Sequence, residues 1–521
     1  MNINRRNFIL GSAAAATLAG CATNKVGLRD LKGGKLRAAM IGYGIQMRTA
    51  LVPQFLGVEK HEGCEKGAGG VDKLVEIVAV CDCDKTRREE GAKQVNEAYK
   101  TNGCKAVADF RDVLEDPTID VVCIATPDHW HAYMCVEAMK HGKDVYCEKP
   151  LTFSIDEAKM VIAAQKKYGR VFQTGSMQRS NDEFWTACMI VRNGLIGDVR
   201  HVSAHYGYSG RKLGGPSHPV RFFDEPEKAA EEGAPNPDVD WNMWLGPAKW
   251  RAYSDKLAPR GVNKFYPMFW RFDDDLGSGY NGDWGAHHLD IAQWGIDMDD
   301  SGPYKIVCSD EPHSTNLFHG GRRQFGMHMI FKSKKDGSDI DLYHGPFGTW
   351  GTVFYGTDGV VAVSRGKIAV WRGTGPVTPT PEVVKGLGDM SFKTEKLVAW
   401  FMGQQGYGER YAVGTKVERE ANLPAAVAKL GKAFDLEHAK VQLYKSPNQV
   451  KNFVECVLSR KPTISPAEVG GRSATLCLLC NMSYQYDTGF DWDPKAMKVA
   501  GDNPKHILTK RLDYRGWDIV V

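Results

Sequence analysis

Two short stretches, far apart in the chain, carry residue types that could move protons on and off a hydroxyl group. The first is Glu148-Lys149-Pro150, which follows the apolar, β-prone run Asp144–Cys147. Pro150 offers no N–H to a strand ladder and steers Lys149 away from helical torsions, so a strand must stop there. Ser154 and Glu157 then make a capping-box pattern that predicts a helix reaching about Tyr168. A Glu-Lys pair at the carboxyl end of a strand sits where open α/β sheets bind ligands, and Lys149 there could steady negative charge developing on oxygen. The second stretch is Asp283-Trp-Gly-Ala-His287. A four-residue step on a helix puts both side chains on one face. A carboxylate that orients an imidazole, or shares its substrate, makes a general base near neutral pH. A metal held by Asp283, His287, His288 and Asp290 is not expected, because only alternate members of that set share a face.

The elements around Lys149 read as a doubly wound parallel sheet. Leu36–Ile41 predicts a buried strand that runs into Gly42-Tyr-Gly-Ile-Gln and then a helix to about Phe55. Strand, glycine turn and helix are the context in which a dinucleotide's pyrophosphate meets backbone N–H groups, so Gly42, Gly44, Ile45 and Gln46 are cofactor candidates. Met47 stands where the fingerprint usually has glycine or alanine, and helix and strand must pack differently there. The strand ending at Cys81 delivers Asp82, an acid that would accept from a ribose diol and repel a 2′-phosphate, favouring NAD over NADP. It arrives about forty residues after Gly42, where about twenty is usual; an inserted glycine-rich loop, Gly57–Gly70, accounts for the excess. Asp120–Ala125 and Arg170–Thr174 predict further strands. The alternation of strands and helices over residues 36–176 therefore predicts an α/β dinucleotide-binding domain.

Beyond residue 176 the texture changes. Residues 177–521 predict a second, α+β domain around an open, mostly antiparallel sheet, with strand-like runs at 198–208, 324–332 and 352–363. The stretch 220–259, rich in Pro, Gly and charge, predicts a surface excursion. Trp241, Trp244, Trp250, Tyr266, Phe269, Trp270 and Trp284 crowd the approach to Asp283. Aromatic faces suit the C–H faces of sugar rings, and two or three of the seven are expected at a substrate. The formal net charge of +4 is scattered and not gathered into a stripe, which argues against a nucleic-acid partner. Of thirteen cysteines, Cys81, Cys83, Cys123 and Cys147 fall in or beside predicted buried strands. Cys477-Leu-Leu-Cys480 lies in an apolar helical run, so a core role is expected for it over a metal or dithiol site.

Residues 1–21 read as a targeting segment and 22–35 as a linker. Asn4-Arg-Arg-Asn-Phe-Ile-Leu10 resembles a twin-arginine export signal, and Leu18-Ala-Gly-Cys21 a lipoprotein cleavage site. The expectation is an exported protein, periplasmic or lipid-anchored to the envelope, that meets membrane only through an N-terminal anchor.

Together, Gly42-Tyr-Gly44, Glu148-Lys149-Pro150 and Asp283 with His287 resemble the Gfo/Idh/MocA oxidoreductases, which include glucose–fructose oxidoreductase and inositol dehydrogenase. The tail Phe490-Asp-Trp-Asp-Pro494 is similar to that of exported members. The resemblance implies an N-terminal Rossmann domain for NAD, with NADP as the other form, and a C-terminal domain that shapes the substrate site and oligomer contacts, as a dimer or tetramer. It implies that Lys149, Asp283 and His287 are catalytic and that Thr126, Pro127, Trp130 and His131 line the nicotinamide side, beside Glu148 and Lys149. A sugar or glycoside is the implied substrate, with Arg179, Tyr208, Trp270 and Trp284 as candidate contacts. Outside the cytoplasm there is no NAD pool to exchange with, so the cofactor is expected to be tightly bound and regenerated in place. The implied reaction is hydride transfer at a ring hydroxyl carbon. The alternative is a redox-cycling glycosidase that oxidises, eliminates, adds water and re-reduces. A cofactor-free sugar-binding lipoprotein is disfavoured by the intact motifs.

Overall fold

The computed structural model describes residues 34–58, 67–206, 233–262, 269–273, 275–279, 281–307, 327–344, 351–372, 409–411, 423–486, 489–501 and 514–521. Six parallel strands form the first sheet: β1 (Leu36–Ile41), β2 (Val75–Cys81), β3 (Lys105–Val107), β4 (Val121–Ile124), β5 (Asp144–Cys147) and β6 (Phe172–Thr174). Their order is β3-β2-β1-β4-β5-β6. β4, β5 and β6 are buried at every residue, as strands covered on both faces must be. The helix Ile155–Tyr168 after β5 opens on the expected capping box, Ser154 Oγ accepting from Glu157 N while Glu157 accepts from Ser154 N.

Strand order reverses between β1 and β4, and such a switch point opens a crevice outside the carboxyl ends of the strands. The register sharpens this. Ile41 pairs with Cys81 and with Ile124, and Ile124 with Cys147. The turns that follow, at 42–44, 82–84, 125–127 and 148–150, therefore leave the sheet side by side.

The second sheet contains β7 (Val199–His205), β8 (Lys305–Val307), β9 (Met327–Lys332), β10 (Asp339–His344), β11 (Gly351–Gly356), β12 (Gly359–Ser364), β13 (Lys367–Arg372), β14 (Glu409–Tyr411), β15 (Phe490–Asp493) and β16 (Lys498–Val499). It runs β14-β13-β12-β11-β7-β10-β9-β8-β15-β16 and is antiparallel except where β10 lies parallel to β7. The run read as one strand at 352–363 is a hairpin, β11 and β12, turning at Thr357-Asp358. Helix Ala286–Gly295 lies on β7 and β11, and all ten of its residues are buried. Its other side meets helix Ala467–Tyr486, which packs in turn on Ile155–Tyr168 of the first sheet. One hydrophobic core thus runs through both layers from Leu36 onward. Cys477 and Cys480 are buried in it as free thiols.

The described part of the stretch expected at the surface, residues 233–259, does not behave as an excursion. Val239 pairs with Asp84 as an isolated bridge, Lys85 N donates to Asp238 O at 2.8 Å and Asp240 N to Cys83 O at 3.2 Å. Leu245, Ala248 and Leu257 form a small apolar cluster with Trp270 and Leu276. Proline, glycine and charge made the stretch look solvated, but it carries enough apolar residues to bury a face of its own.

Candidate active site

A cleft of about 470 Å³ opens along the carboxyl ends of β1, β2, β4 and β5 and is closed on the far side by the second layer. Its floor is the glycine turn. Gly42 has φ +85°, and a Cβ there would come within 2.9 Å of the Ala125 backbone, so only glycine fits. Gly44 meets nothing within 4 Å where its Cβ would stand, leaving open space at the backbone as a pyrophosphate requires. Met47 is fully buried, and the helix beyond Gln46 begins as a wide π-type turn, Met47–Leu51, before tightening at Val52. That widening is how the helix accommodates methionine in the third fingerprint position.

Asp82 at the end of β2 faces this turn. Its carboxylate accepts from Tyr43 N at 2.8 Å and Asp84 N at 2.9 Å, so two backbone donors hold it while further lone pairs stay free for a diol. Burial pushes its pKa up. Arg87 lines the same end, donating to Pro259 O at 2.9 Å and sitting 3.4 Å from Asp84. Ile45, Gln46, Thr126 and Pro127 also line the cleft, and Gln46 Nε2 donates to Glu148 Oε1 at 3.2 Å. These residues fit a dinucleotide. Trp130 and His131 reach the cleft wall but are anchored in protein. Trp130 Nε1 donates to Met243 O and Trp244 O, and its ring packs edge-on to Trp517 at 4.8 Å. Both ring nitrogens of His131 face backbone carbonyls, Pro150 O at 2.8 Å and Thr126 O at 3.0 Å. They therefore bind the β4 loop to the Lys149-Pro150 corner.

At that corner the two layers meet. Lys149 Nζ donates to Asp283 Oδ1 and to Asp283 O, each at 2.8 Å, across 134 residues of sequence. Arg271 Nε stands 3.6 Å from the same carboxylate oxygen and lies 4.4 Å over the Trp270 ring. Burial raises the pKa of Asp283, but Lys149 and Arg271 outweigh it and hold the group at about 2, so it is ionised.

His287 is one step further along. Burial first, then the charges of Arg365 and Lys149, hold its pKa well below 6.5, so the imidazole is neutral. Its Nδ1 is buried without a hydrogen-bond partner, which leaves Nε2 as the ring atom able to meet a ligand. This corrects the expected pairing: Asp283 does not orient His287 but holds Lys149. The physical reason is local. Residues 281–285 form a wide π-type turn and the α-helix begins only at Ala286, so a four-residue step across the junction does not keep both side chains on one face. The turn is held by Tyr206 Oη donating to Asn281 Oδ1 at 2.9 Å and Asn281 Nδ2 to Asn481 Oδ1 at 2.7 Å.

Of the seven aromatics, Trp244, Trp270 and Trp284 line the cleft. Trp241 stacks on Trp244 at 4.8 Å, Trp250 is exposed, and Tyr266 lies outside the described residues. Tyr208 also lies outside them. Arg179 is not at the cleft. It is 1% exposed and grips Asp290 and Asp299 with two edges of its guanidinium. The expectation that it meets substrate fails because a buried arginine needs carboxylates, and two reach it, Asp290 inside the core and Asp299 at its edge. Sequence reasoning missed Arg365, which the β12–β13 turn carries into the cleft beside Trp284 and His287. Its neighbours, Ser364 and Gly366, have the composition of a turn, which does not say where the arginine between them points.

A six-stranded dinucleotide fold whose cleft is completed by a lysine, a carboxylate and a neutral imidazole from two layers defines a nicotinamide-dependent oxidoreductase class. Comparison with known proteins agrees. Residues 36–176 match the Gfo/Idh/MocA oxidoreductase family, NAD-binding Rossmann fold, and residues 221–349 its C-terminal alpha/beta domain. The chain belongs to this family. It is 36% identical over 141 residues to the uncharacterized oxidoreductase YrbE of Bacillus subtilis, a match covering 25% of this chain and 40% of that one. It is 28% identical over 223 residues to a glycosyl hydrolase family 109 protein of Shewanella pealeana, covering 40% and 46%. The chain thus spans under half the length of these relatives. Among solved structures, the WlbA dehydrogenase from Bordetella pertussis, in complex with NADH and UDP-GlcNAcA, shares the fold with TM-score 0.51 at 13% identity, covering 88% of this chain and 97% of that one. An NAD binding oxidoreductase from Klebsiella pneumoniae does so with TM-score 0.50 at 16% identity, covering 88% and 99%.

Proposed function

We propose that the protein oxidises and reduces a ring hydroxyl carbon of a sugar or glycoside, using a nicotinamide cofactor that stays bound through turnover. The observation that carries this reading is the Lys149–Asp283 pair beside a neutral, cleft-lining His287. NAD bound in the cleft supplies hydride exchange. The chain's own residues do the rest. His287, kept as the free base, takes the hydroxyl proton as the alcohol becomes a carbonyl and returns it in the reverse direction. Lys149 donates to the same oxygen and steadies the charge that develops there, and Asp283, fixed by Lys149 and Arg271, keeps the ammonium aimed. Trp270 and Trp284 offer faces for the sugar ring. Asp82 supports NAD over NADP, since its carboxylate would oppose a 2′-phosphate.

Retention of the cofactor is supported by the segment at 233–262, which is hydrogen-bonded to residues 83–85 and covers the ribose end of the cleft. We read the N-terminal segment as an export signal with a lipid anchor at Cys21, and the protein as a periplasmic or envelope-anchored oligomer. That location favours a reaction that is redox-neutral within one site. A second reading, the redox-cycling glycosidase, is favoured by the likeness to glycosyl hydrolase family 109 proteins over 40% of the chain.

The test begins with the protein purified without added cofactor. It should release nicotinamide nucleotide on denaturation, and candidate sugars should raise the absorbance of reduced nicotinamide at 340 nm. Aryl glycosides without an external acceptor should release phenol only under the glycosidase reading. Retained turnover in both Lys149→Ala and His287→Ala would sink the assignment of the site.

A further inference from the structure

Arg365 stands apart from the other cations of the cleft. Lys149 and Arg271 share the carboxylate of Asp283. Arg365 has only neutral partners among the described residues. Nε donates to Gln178 Oε1 at 3.1 Å, Nη2 makes a weak contact with Met177 Sδ at 3.9 Å, and the guanidinium lies 4.9 Å over the Trp284 ring. A guanidinium carries five N–H donors, so three are left without an acceptor among the described residues. The geometry is nonetheless fixed. Arg365 sits in the tight turn Ser364–Lys367, where Gly366 N donates to Glu183 Oε1 at 3.0 Å. Gln178, which holds its Nε, also donates to His287 O at 3.1 Å. It is thus a half-buried, positioned cation whose free fork lines the cleft beside His287. No carboxylate among the described residues pairs with this fork, and an anion entering the cleft would.

We propose that Arg365 is the recognition site for a carboxylate on the substrate, so that the cleft takes a sugar acid in preference to the matching neutral sugar. This rests on the redox reading above and specifies its substrate class. Stacked on Trp284, the guanidinium presents its edge to the ligand, as bidentate pairing with a planar carboxylate requires. The acid group would then sit on the second-layer side of the cleft, with the reacting hydroxyl toward Lys149 and His287.

The experiment uses the full, NAD-loaded protein and paired probes: methyl glucoside with methyl glucuronide, and methyl galactoside with methyl galacturonide. Dissociation constants come from tryptophan fluorescence, and absorbance at 340 nm is followed on the same samples. In one pair the acid should bind tighter than its neutral partner by about 10- to 100-fold, the range of a charge-assisted hydrogen bond. Arg365→Gln should bring that ratio close to one, and Arg365→Lys should restore part of it, since a point charge lacks the fork. Equal affinity for acid and neutral partner in both pairs, or a preference that survives Arg365→Gln, overturns the proposal. So does an Arg365-dependent preference for sugar 6-phosphates over the acids. Tight binding of the acid with no change at 340 nm would count against the redox reading while leaving the carboxylate site standing.

Discussion

Helix Ala286–Gly295 and the turn before it carry two ionic clusters a few residues apart, and the two are built to opposite specifications. At Asp290 everything is closed. Arg179 forks onto Asp290 at 2.7 and 2.8 Å and onto Asp299 at the same distances, and Ser473 Oγ donates to Asp290 Oδ1 at 2.6 Å. Trp294 stacks 5.0 Å from the guanidinium. At Asp283 and His287 one side is left open: Lys149 and Arg271 hold the carboxylate, while His287 lines the cleft and Arg365 has no carboxylate among the described residues. The same residue types serve structure where each polar atom is satisfied and serve chemistry where some are left waiting. Satisfaction, and not residue type, separates an anchor from a site.

That contrast can be broken by substitution. Arg179→Ala strands Asp290 inside the core and should cost about 3–5 kcal/mol of folding free energy. Urea denaturation would show it as a lower midpoint with an unchanged slope. The bound nicotinamide of the folded fraction should keep its absorbance, and a variant as stable as the native chain would refute the anchoring role.

Lys149→Ala should do the reverse. Turnover should fall by roughly 10²–10³-fold, as when one donor to a developing oxyanion is removed. The unfolding midpoint should move little, because Arg271 remains beside Asp283. A large stability loss with activity preserved would merge the two clusters into one structural kind.

The pH dependence sharpens the difference further. With its pKa well below 6.5, His287 stays a free base as pH falls through 6.5, so single-turnover rates at 340 nm should hold on the acid side where an ordinary histidine would fail. Stability runs the other way. The unfolded chain takes up a proton at this residue near 6.5 and the folded chain does not, so its contribution falls as pH drops below that point. His287→Asn should remove this part of the slope. Asp283 behaves as a paired carboxylate: its contribution is present above 3.8 and is lost as pH falls toward about 2.

The smallest effect belongs to the closed cluster. Ser473→Ala removes one of three donors to Asp290 Oδ1 and Oδ2 and should cost about 1–2 kcal/mol. Thermal unfolding would register it, with turnover unaltered.

Much of this arrangement was legible in the chain. The strands at 36–41 and 144–147, the capped helix after Ser154, the glycine turn, Asp82 and the Glu-Lys-Pro corner all rest on local rules that act within about twelve residues. Period, capping and proline torsion do not depend on distant partners. The prediction at 283–287 failed on the same ground that made it, since a helical period was assumed across a turn that winds wider. Arg179 shows a second kind of failure. An arginine's destination depends on which carboxylates reach it, and Asp290 and Asp299 lie more than a hundred residues away.

The sequence by itself determined the dinucleotide sheet, the glycine turn that lines the cleft and the identity of Lys149, Asp283 and His287 as residues able to do chemistry. Only the tertiary structure decided who pairs with whom: Asp283 with Lys149, Arg179 with the core, Arg365 with no carboxylate among the described residues, and residues 238–240 with 83–85. The reason is physical. Burial and charge compensation are set by neighbours that converge through folding, and pKa, orientation and unsatisfied donors follow from those neighbours and not from spacing along the chain.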